Sequence, residues 1–297
     1  MRLVTFSDGD ENRIGVLCDG DKVLDLAAAC PDLPPDMLGF IALGDRALGP
    51  AGDAVREAPK DALIPVSAVK LLAPIPRPAR NILCVGKNYH QHAREFQASG
   101  FDKSSGGVDI PDVPIIFTKW TSSVIGPLDP IPGHLDPTAS VDYEGELTIV
   151  IGKAGRKIPR ADAFDHIYGY TIINDVTART LQRRHSQWFL GKSLDGFCPM
   201  GPCLVTADEV KDIGALEMTT RVNGEVRQQV SVADLIFDIP TLIETISLGM
   251  TLEPGDLIAT GTPAGVGIGF DPPKFLQPGD EVAITIEPIG TLENPVA

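Results

Sequence analysis

The stretch VDYEGELTIVIGK, residues 141–153, decides how this chain folds. Its tail LTIVI is an apolar, β-branched run of strand length, which predicts a strand headed for a core. Side chains two apart on a strand share a face, so Glu144 and Glu146 project together while Gly145 leaves the other face open to close backbone approach. Two carboxylates held so near repel each other. Solvent at a strand end relieves that repulsion, and so does a hard divalent cation, for which carboxylate oxygens are suitable donors.

A third acid shifts the balance toward the cation. GYTIINDVTAR, residues 169–179, is a second apolar strand run, and Asp175 stands where the chain leaves it. Three acids from two strand ends can form one face of an octahedron, leaving the other positions to water or substrate oxygens. The candidate ligands are therefore Glu144, Glu146 and Asp175, and the candidate ion is Mg²⁺ or Mn²⁺, with Ca²⁺ as a further option. Such an open site suits catalysis.

Strand signals dominate from about residue 80 onward: NILCVG, PIIFTKW, GELTIVIG, YGYTIIND, PCLVT, MTTRVNGEV, DLIATG and EVAITIE. The long helical candidates are NYHQHAREFQASG and ADLIFDIPTLIETISLG, the second divided by Pro240. Many strands with few crossover helices predict a mainly β architecture with some α, not an alternating α/β sheet. Asn223-Gly224 predicts a two-residue hairpin turn. Residues 1–26 alternate apolar and polar positions and predict a few antiparallel strands; Ala27 to Lys60 predicts short helices broken by Pro31, Pro34 and Pro35. Pro74, Pro76 and Pro78 then mark a linker. The expected division is a small N-terminal α+β domain over 1–72 and a larger catalytic domain over 73–297.

Composition excludes whole classes of function. A formal charge of −15, from 40 acidic and 25 basic side chains, opposes binding to nucleic acid or anionic membranes. The opening MRLVTFSDGDENRIGVL lacks the apolar core of a signal peptide, and no apolar run reaches the roughly 18 residues that span a bilayer, so a cytoplasmic protein is expected. Cys18, Cys30, Cys84, Cys198 and Cys203 form no CxxC pair and predict packing thiols.

Other polar residues have both an ordinary and a chemical reading. His92 and Glu95 are three apart, so on a helix they share a face; His90 is a rival imidazole at the wrong spacing. Arg179 and Gln182 follow Asp175 by four and seven positions and share a face if a helical turn begins there. Lys192, in FLGKSLDG, reads by default as a solvated lysine. GTPAGVGIGF lacks GxGxxG spacing, and Pro272 and Pro273 oppose the helix that a dinucleotide loop requires.

Taken in order, GKNYHQHAREF, PIIFTKW, DYEGELTIVIGK, GYTIINDVTAR, QWFLGKSLDGFCPMGP, LIATGTPAGVG and PGDEVAITIEPIGTLENPV resemble the fumarylacetoacetate hydrolase family, short bacterial type, over roughly residues 80–297. The resemblance implies a distorted β-roll or barrel-like domain, a homodimer, and a divalent ion on Glu144, Glu146 and Asp175. It implies a lid helix whose His92–Glu95 dyad activates water, and a Lys192 that faces metal and substrate. Arg179, Gln182, Lys119 and Thr262 are implied substrate contacts, with backbone amides near Thr262 holding a carboxylate. Two departures bear on substrate: Thr180 stands where the family often has an acid, and the lid continues through the unusual QASGFDKSSGGVDIPD.

The expected activity is that of a metal-dependent hydrolase cleaving a C–C bond in a 2,4-diketo acid of the acylpyruvate type, through an enolate held at the ion. The same constellation stabilises an enolate however it forms. Decarboxylation or keto–enol isomerisation of oxaloacetate-like acids, and lyase or hydratase chemistry, are therefore the alternatives, with a non-catalytic metal-stabilised binding protein more distant.

Overall fold

The computed structural model describes residues 1–9, 11–18, 21–58, 62–101 and 110–297, so positions 102–109 of the QASGFDKSSGGVDIPD stretch lie outside the described residues. The chain opens with β1 (Arg2–Ser7), β2 (Asn12–Cys18) and β3 (Lys22–Asp25), paired antiparallel in sequence order. Three helices follow: α1 (Leu26–Ala29), α2 (Met37–Leu43) and α3 (Asp45–Glu57). The carboxylates of Asp25 and Asp36 cap α1 and α2 by accepting otherwise unpaired backbone N–H groups. Two short strands, β4 (Leu63–Pro65) and β5 (Lys70–Leu72), lead to the larger part of the chain.

That part begins with β6 (Ile82–Gly86), α4 (His90–Ala98), β7 (Ile115–Lys119) and β8 (Val124–Ile125). Next come β9 (Val141–Asp142), β10 (Gly145–Ile151), β11 (Ile167–Asn174) and β12 (Thr177–Ala178), then α5 (Arg179–Arg184) and α6 (Phe189–Lys192). The chain closes with β13 (Cys198–Thr206), β14 (Glu217–Val222), β15 (Glu225–Ser231), α7 (Ile239–Ser247), β16 (Leu257–Ala259), β17 (Glu281–Ile286) and β18 (Gly290–Pro295).

One 12-stranded sheet runs β4-β3-β2-β1-β13-β11-β10-β16-β6-β7, with β5 on β1 and β8 on β13; a four-stranded sheet runs β15-β14-β17-β18. Every residue of β10 and β11 is buried, which explains their nearly continuous apolar sequence. On one face Leu147, Ile149 and Ile151 pack with Met218, Val282 and Ile284 of the smaller sheet. On the other, Val150 and Ile173 join Met37, Phe40 and Ile41 of α2. The fold is thus mainly β with peripheral helices, as the sequence indicates.

Two local devices matter for the site. A Cβ on Gly145 would collide with the Thr220 hydroxyl, so glycine is what lets the second sheet close against β10 between the two glutamates. Asn223 and Gly224 adopt φ of 51° and 79° in the β14–β15 hairpin, the left-handed pair that a tight turn needs. Pro240 behaves differently from its sequence reading: it does not divide a helix but sits in the first turn of α7, where its missing N–H has no partner to lose, and Asp238 caps that turn.

Candidate active site

Ladder register creates the acid cluster. β10 and β11 pair Gly145 with Asn174, which sets Glu144 beside Asp175. The Asp175 N–H donates to the Glu144 carbonyl at 2.8 Å, and the Glu144 N–H donates to Asn174 Oδ1 at 3.0 Å. The carboxylates of Glu144, Glu146 and Asp175 are buried and offer oxygens that all lie within 4.8 Å of one another. The three acids nominated by strand period therefore converge from two adjacent strands.

Three buried cations answer two of these acids. Lys192 Nζ donates to Glu144 Oε2 at 2.6 Å and to Asp175 Oδ2 at 2.8 Å. Arg179 places Nη1 2.6 Å from Glu144 Oε1 and donates from Nε to Asp142 Oδ2 at 2.8 Å. Lys119 Nζ donates to Asp175 Oδ1 at 2.6 Å, to the Val176 carbonyl at 3.0 Å and to the Lys192 carbonyl. An ammonium has three protons, and these acceptors use them all. Lys119, which the resemblance implies as a substrate contact, here stands behind Asp175 and ties both that carboxylate and the Lys192 backbone.

The electrostatics divide accordingly. Burial pushes the Glu144 carboxyl up, but Lys192 and Arg179 outweigh it and hold it at about 2. Burial likewise works against the charged Lys192 ammonium, yet Asp175 and Glu144 raise its pKa overall. Glu146 lacks such help. Its Oε2 accepts the Gly261 N–H at 2.8 Å, and no ion pair among the described residues reaches it. Burial first, then the charges of Asp175 and Glu144, drive its carboxyl well above the ordinary range. An all-oxygen donor set with one uncompensated buried carboxyl fits a hard divalent cation, which would supply the missing charge.

The proposed dyad forms on α4. His92 and Glu95 lie one turn apart, with Nδ1 3.2 Å from Oε2, and Glu95 Oε1 accepts the Gly265 N–H at 2.9 Å. His90 is exposed and stands off the cavity wall. A helical turn does bring Arg179 and Gln182 together, but it begins at Arg179, after β12; Arg179 Nη1 donates to Gln182 Oε1 at 3.2 Å.

The glycine-rich segment also borders the site. Thr262 does line the cavity, with its hydroxyl accepting from Gln228 Nε2 at 2.8 Å. The neighbouring amides, however, serve the chain's own carboxylates: Gly261 donates to Glu146, Gly265 to Glu95, and Gly267 and Ile268 to Asp142 at 2.6 and 3.1 Å. Gly265 has φ of 102°, and a Cβ there would strike the Arg227 carbonyl, so no other residue fits this turn.

His92, Glu144, Glu146, Arg179, Gln182 and Lys192 face one cavity of about 20 Å³, closed on its apolar side by Phe96, Phe117 and Trp188. Trp188 packs edge-on against both phenylalanines, with centroids 5.8 Å from Phe96 and 5.1 Å from Phe117. The volume is that of a water-sized space, too small for a keto acid unless some part of its wall gives way. Arg179 Nη2 is buried without a hydrogen-bond partner among the described residues. An orphaned guanidinium donor on a cavity wall is suited to an incoming carboxylate. A larger cleft of about 780 Å³ beside α3 contains neither the acid cluster nor the imidazole.

Asp142, Gln228 and Lys87 were not singled out from sequence. Asp142 accepts from Arg179 and two loop amides; Gln228 links Gly145 to Thr262; Lys87 lines the cavity. Their partners are distant in sequence, and no local signal marks them. Among the described residues no disulfide joins the five cysteines, and burial raises the Cys198 thiol to about 12, consistent with packing.

Comparison with known proteins agrees with this geometry. The family profile "Fumarylacetoacetate (FAA) hydrolase C-terminal" matches residues 81–297. The oxaloacetate tautomerase YisK of Bacillus subtilis is 49% identical over 308 residues, covering 100% of both chains. The solved fumarylacetoacetate hydrolase from psychrophilic Exiguobacterium antarcticum has a TM-score of 0.83 and 43% identity, covering 100% of this chain and 99% of that one. A maleylpyruvate hydrolase from Sphingobium sp. SYK-6, solved with manganese(II) and pyruvate, has a TM-score of 0.79 and 34% identity, with coverage of 100% and 99%.

Proposed function

The chain belongs to the fumarylacetoacetate hydrolase family, and on that premise we propose that it is a divalent-metal-dependent tautomerase that interconverts the keto and enol forms of an oxaloacetate-type 2-keto acid. The supporting observation is one closed cavity that joins a three-carboxylate cluster, an orphaned arginine donor and a carboxylate-backed imidazole. The similarity to a whole-length oxaloacetate tautomerase favours isomerisation over the hydrolysis expected first from sequence.

Glu144, Glu146 and Asp175 would hold Mg²⁺ or Mn²⁺. When bound, that ion supplies a Lewis acid that favours enolisation of a 2-keto group. Arg179 Nη2 receives the substrate's C1 carboxylate. Lys192 offers positive charge to the C2 oxygen as it becomes anionic. His92 Nε2 takes a proton from C3 and delivers it to the C2 oxygen, giving the enol, and the two transfers run backwards to regenerate the ketone, while Glu95 at Nδ1 fixes the tautomer that leaves Nε2 basic. Gln182 orients Arg179, Thr262 borders the substrate, and the Phe96–Trp188 wall excludes water.

Every residue assigned a role lies beyond residue 72, in keeping with an accessory segment over 1–72 and a catalytic one over 73–297. No described helix is long and apolar enough to cross a membrane. A cytoplasmic homodimer acting on small keto acids completes the reading.

C–C hydrolysis of acylpyruvates is the second reading, because the His92–Glu95 pair can equally activate water and a related maleylpyruvate hydrolase was solved with pyruvate. The test is to incubate Mg²⁺- or Mn²⁺-loaded protein with oxaloacetate and with acylpyruvates, following enol absorbance, CO₂ and organic products. Accelerated keto–enol equilibration without CO₂ is expected. Acylpyruvate cleavage with no effect on oxaloacetate equilibration would replace this reading with the second.

A further inference from the structure

β15 lies at the edge of the smaller sheet, and its residues other than Gln228 are all exposed or half-buried. Gln228 is 1% exposed. The pairing of β15 with β14 slips at Arg227, a bulge of the kind that re-aims a neighbouring side chain. A polar amide so deeply buried needs partners, and Gln228 finds them on β10 and on the loop that carries Thr262.

Those partners fix which way round the amide lies. Its Oε1 accepts the Gly145 N–H at 3.1 Å, a group that can only donate, and its Nε2 donates to the Pro263 carbonyl at 2.8 Å, a group that can only accept. The second N–H of Nε2 goes to the Thr262 hydroxyl at 2.8 Å. Thr262 therefore accepts from this side, and its own proton must leave in another direction. No described residue accepts that proton, and Thr262 stands on the cavity wall with Glu144, Glu146 and Arg179. The amides of Gly261, Gly265, Gly267 and Ile268 are already engaged by the chain's own carboxylates, so the hydroxyl is a donor that this loop can still offer a ligand.

Building on the reading of this cavity as a 2-keto acid site, we propose that Gln228 is a positioning residue: it locks the Thr262 hydroxyl as a one-way donor to a carboxylate oxygen of the bound acid. The lock favours an ionised ligand, because an acceptor oxygen satisfies it and a second donor does not. The competing account is a brace: Gln228 would steady Gly145, the residue between Glu144 and Glu146, and act through the metal-binding strand. The two differ in whether the effect of Gln228 requires Thr262.

The test is calorimetric titration with Mg²⁺ alone, and then with oxalate, which has no carbon-bound hydrogen to lose. It compares wild type, Thr262→Val, Thr262→Ser, Gln228→Met and the double variant Gln228→Met/Thr262→Val. Thr262→Val should weaken oxalate on the order of 10-fold, and Thr262→Ser should keep wild-type affinity. Gln228→Met should weaken oxalate roughly 5-fold with Mg²⁺ affinity unchanged, and should add no further loss on the Thr262→Val background. Losses that multiply in the double variant, or weakened Mg²⁺ binding in Gln228→Met, would assign Gln228 to the brace. Unchanged oxalate affinity in Thr262→Val, or no oxalate binding by Mg²⁺-loaded wild type, would overturn the proposal. Should Gln228→Met not fold, Gln228→Asn, one methylene too short to hold both Gly145 and Thr262, replaces it in the same cycle with the same expectation. These readouts need no turnover, so a wild type that does not equilibrate oxaloacetate would remove the tautomerase reading while the oxalate cycle still decides the role of Gln228.

Discussion

The acid cluster and the imidazole face the same cavity but are held in opposite ways. Glu144, Glu146 and Asp175 lie at the ends of β10 and β11, between two extensive apolar clusters, and Glu144 and Asp175 are each tied to buried cations. His92 rides on α4, whose apolar support is a small cluster of Phe96, Val266 and Ile268 with partly buried neighbours. Glu95 adds one hydrogen bond from α4 to the Gly265 amide. Elements with few buried contacts open most readily. The sheet therefore holds the acid cluster firmly, while the helix carries the imidazole on a lighter support.

Substitutions that attack one side and spare the other test this division. The largest effect is expected for Lys119→Met, which leaves Asp175 without one of its buried cations and should cost about 3–5 kcal/mol in chemical denaturation. Glu146→Gln should reduce tautomerase turnover on the order of 10³-fold and abolish tight divalent binding, yet leave metal-free stability equal or higher, because it removes an uncompensated buried charge. His92→Ala should lower turnover on the order of 10²-fold while calorimetry shows divalent binding unchanged. Loss of metal binding in His92→Ala would mean that the two sides are not separable.

The smallest effect concerns pH. Glu146 has its folded-state pKa raised, so in metal-free protein its contribution becomes unfavourable as pH climbs from the unfolded carboxylate value through the folded one. On the proposed reading Mg²⁺ would bind the ionised form and relieve that penalty. The gain in melting temperature on adding Mg²⁺ should therefore grow from pH 5 to pH 8, as scanning calorimetry would register. A constant gain would separate Glu146 from the ion.

What the sequence revealed and concealed follows the same line. Glu144, Glu146 and Asp175 were legible because strand period and carboxylate chemistry are local, and the hairpin at Asn223-Gly224 was legible because its turn demands those residues. The anchoring of Lys119 behind Asp175 was not legible because its acceptors, on Asp175, Val176 and Lys192, lie 56 to 73 positions away. Gln228 has partners 34 and 83 positions away and no motif of its own. Pro240 was read as a breaker because its neighbours are apolar on both sides, whereas the cap at Asp238 decides where α7 starts. Pairing over short range is written in residue order; convergence over long range is decided by register and packing.

Glu95 touches both His92 and Gly265, one oxygen to each. That makes it a logical conjunction in carboxylate form: the oxygen that aligns the imidazole belongs to the same rigid group as the oxygen that senses the glycine-rich turn. Because His92 and Glu95 both ride on α4, a displacement of that helix would carry the pair off together and break only the bond to the Gly265 amide. The Gly265 amide would thus be the point at which the aligned pair is registered against the rest of the site.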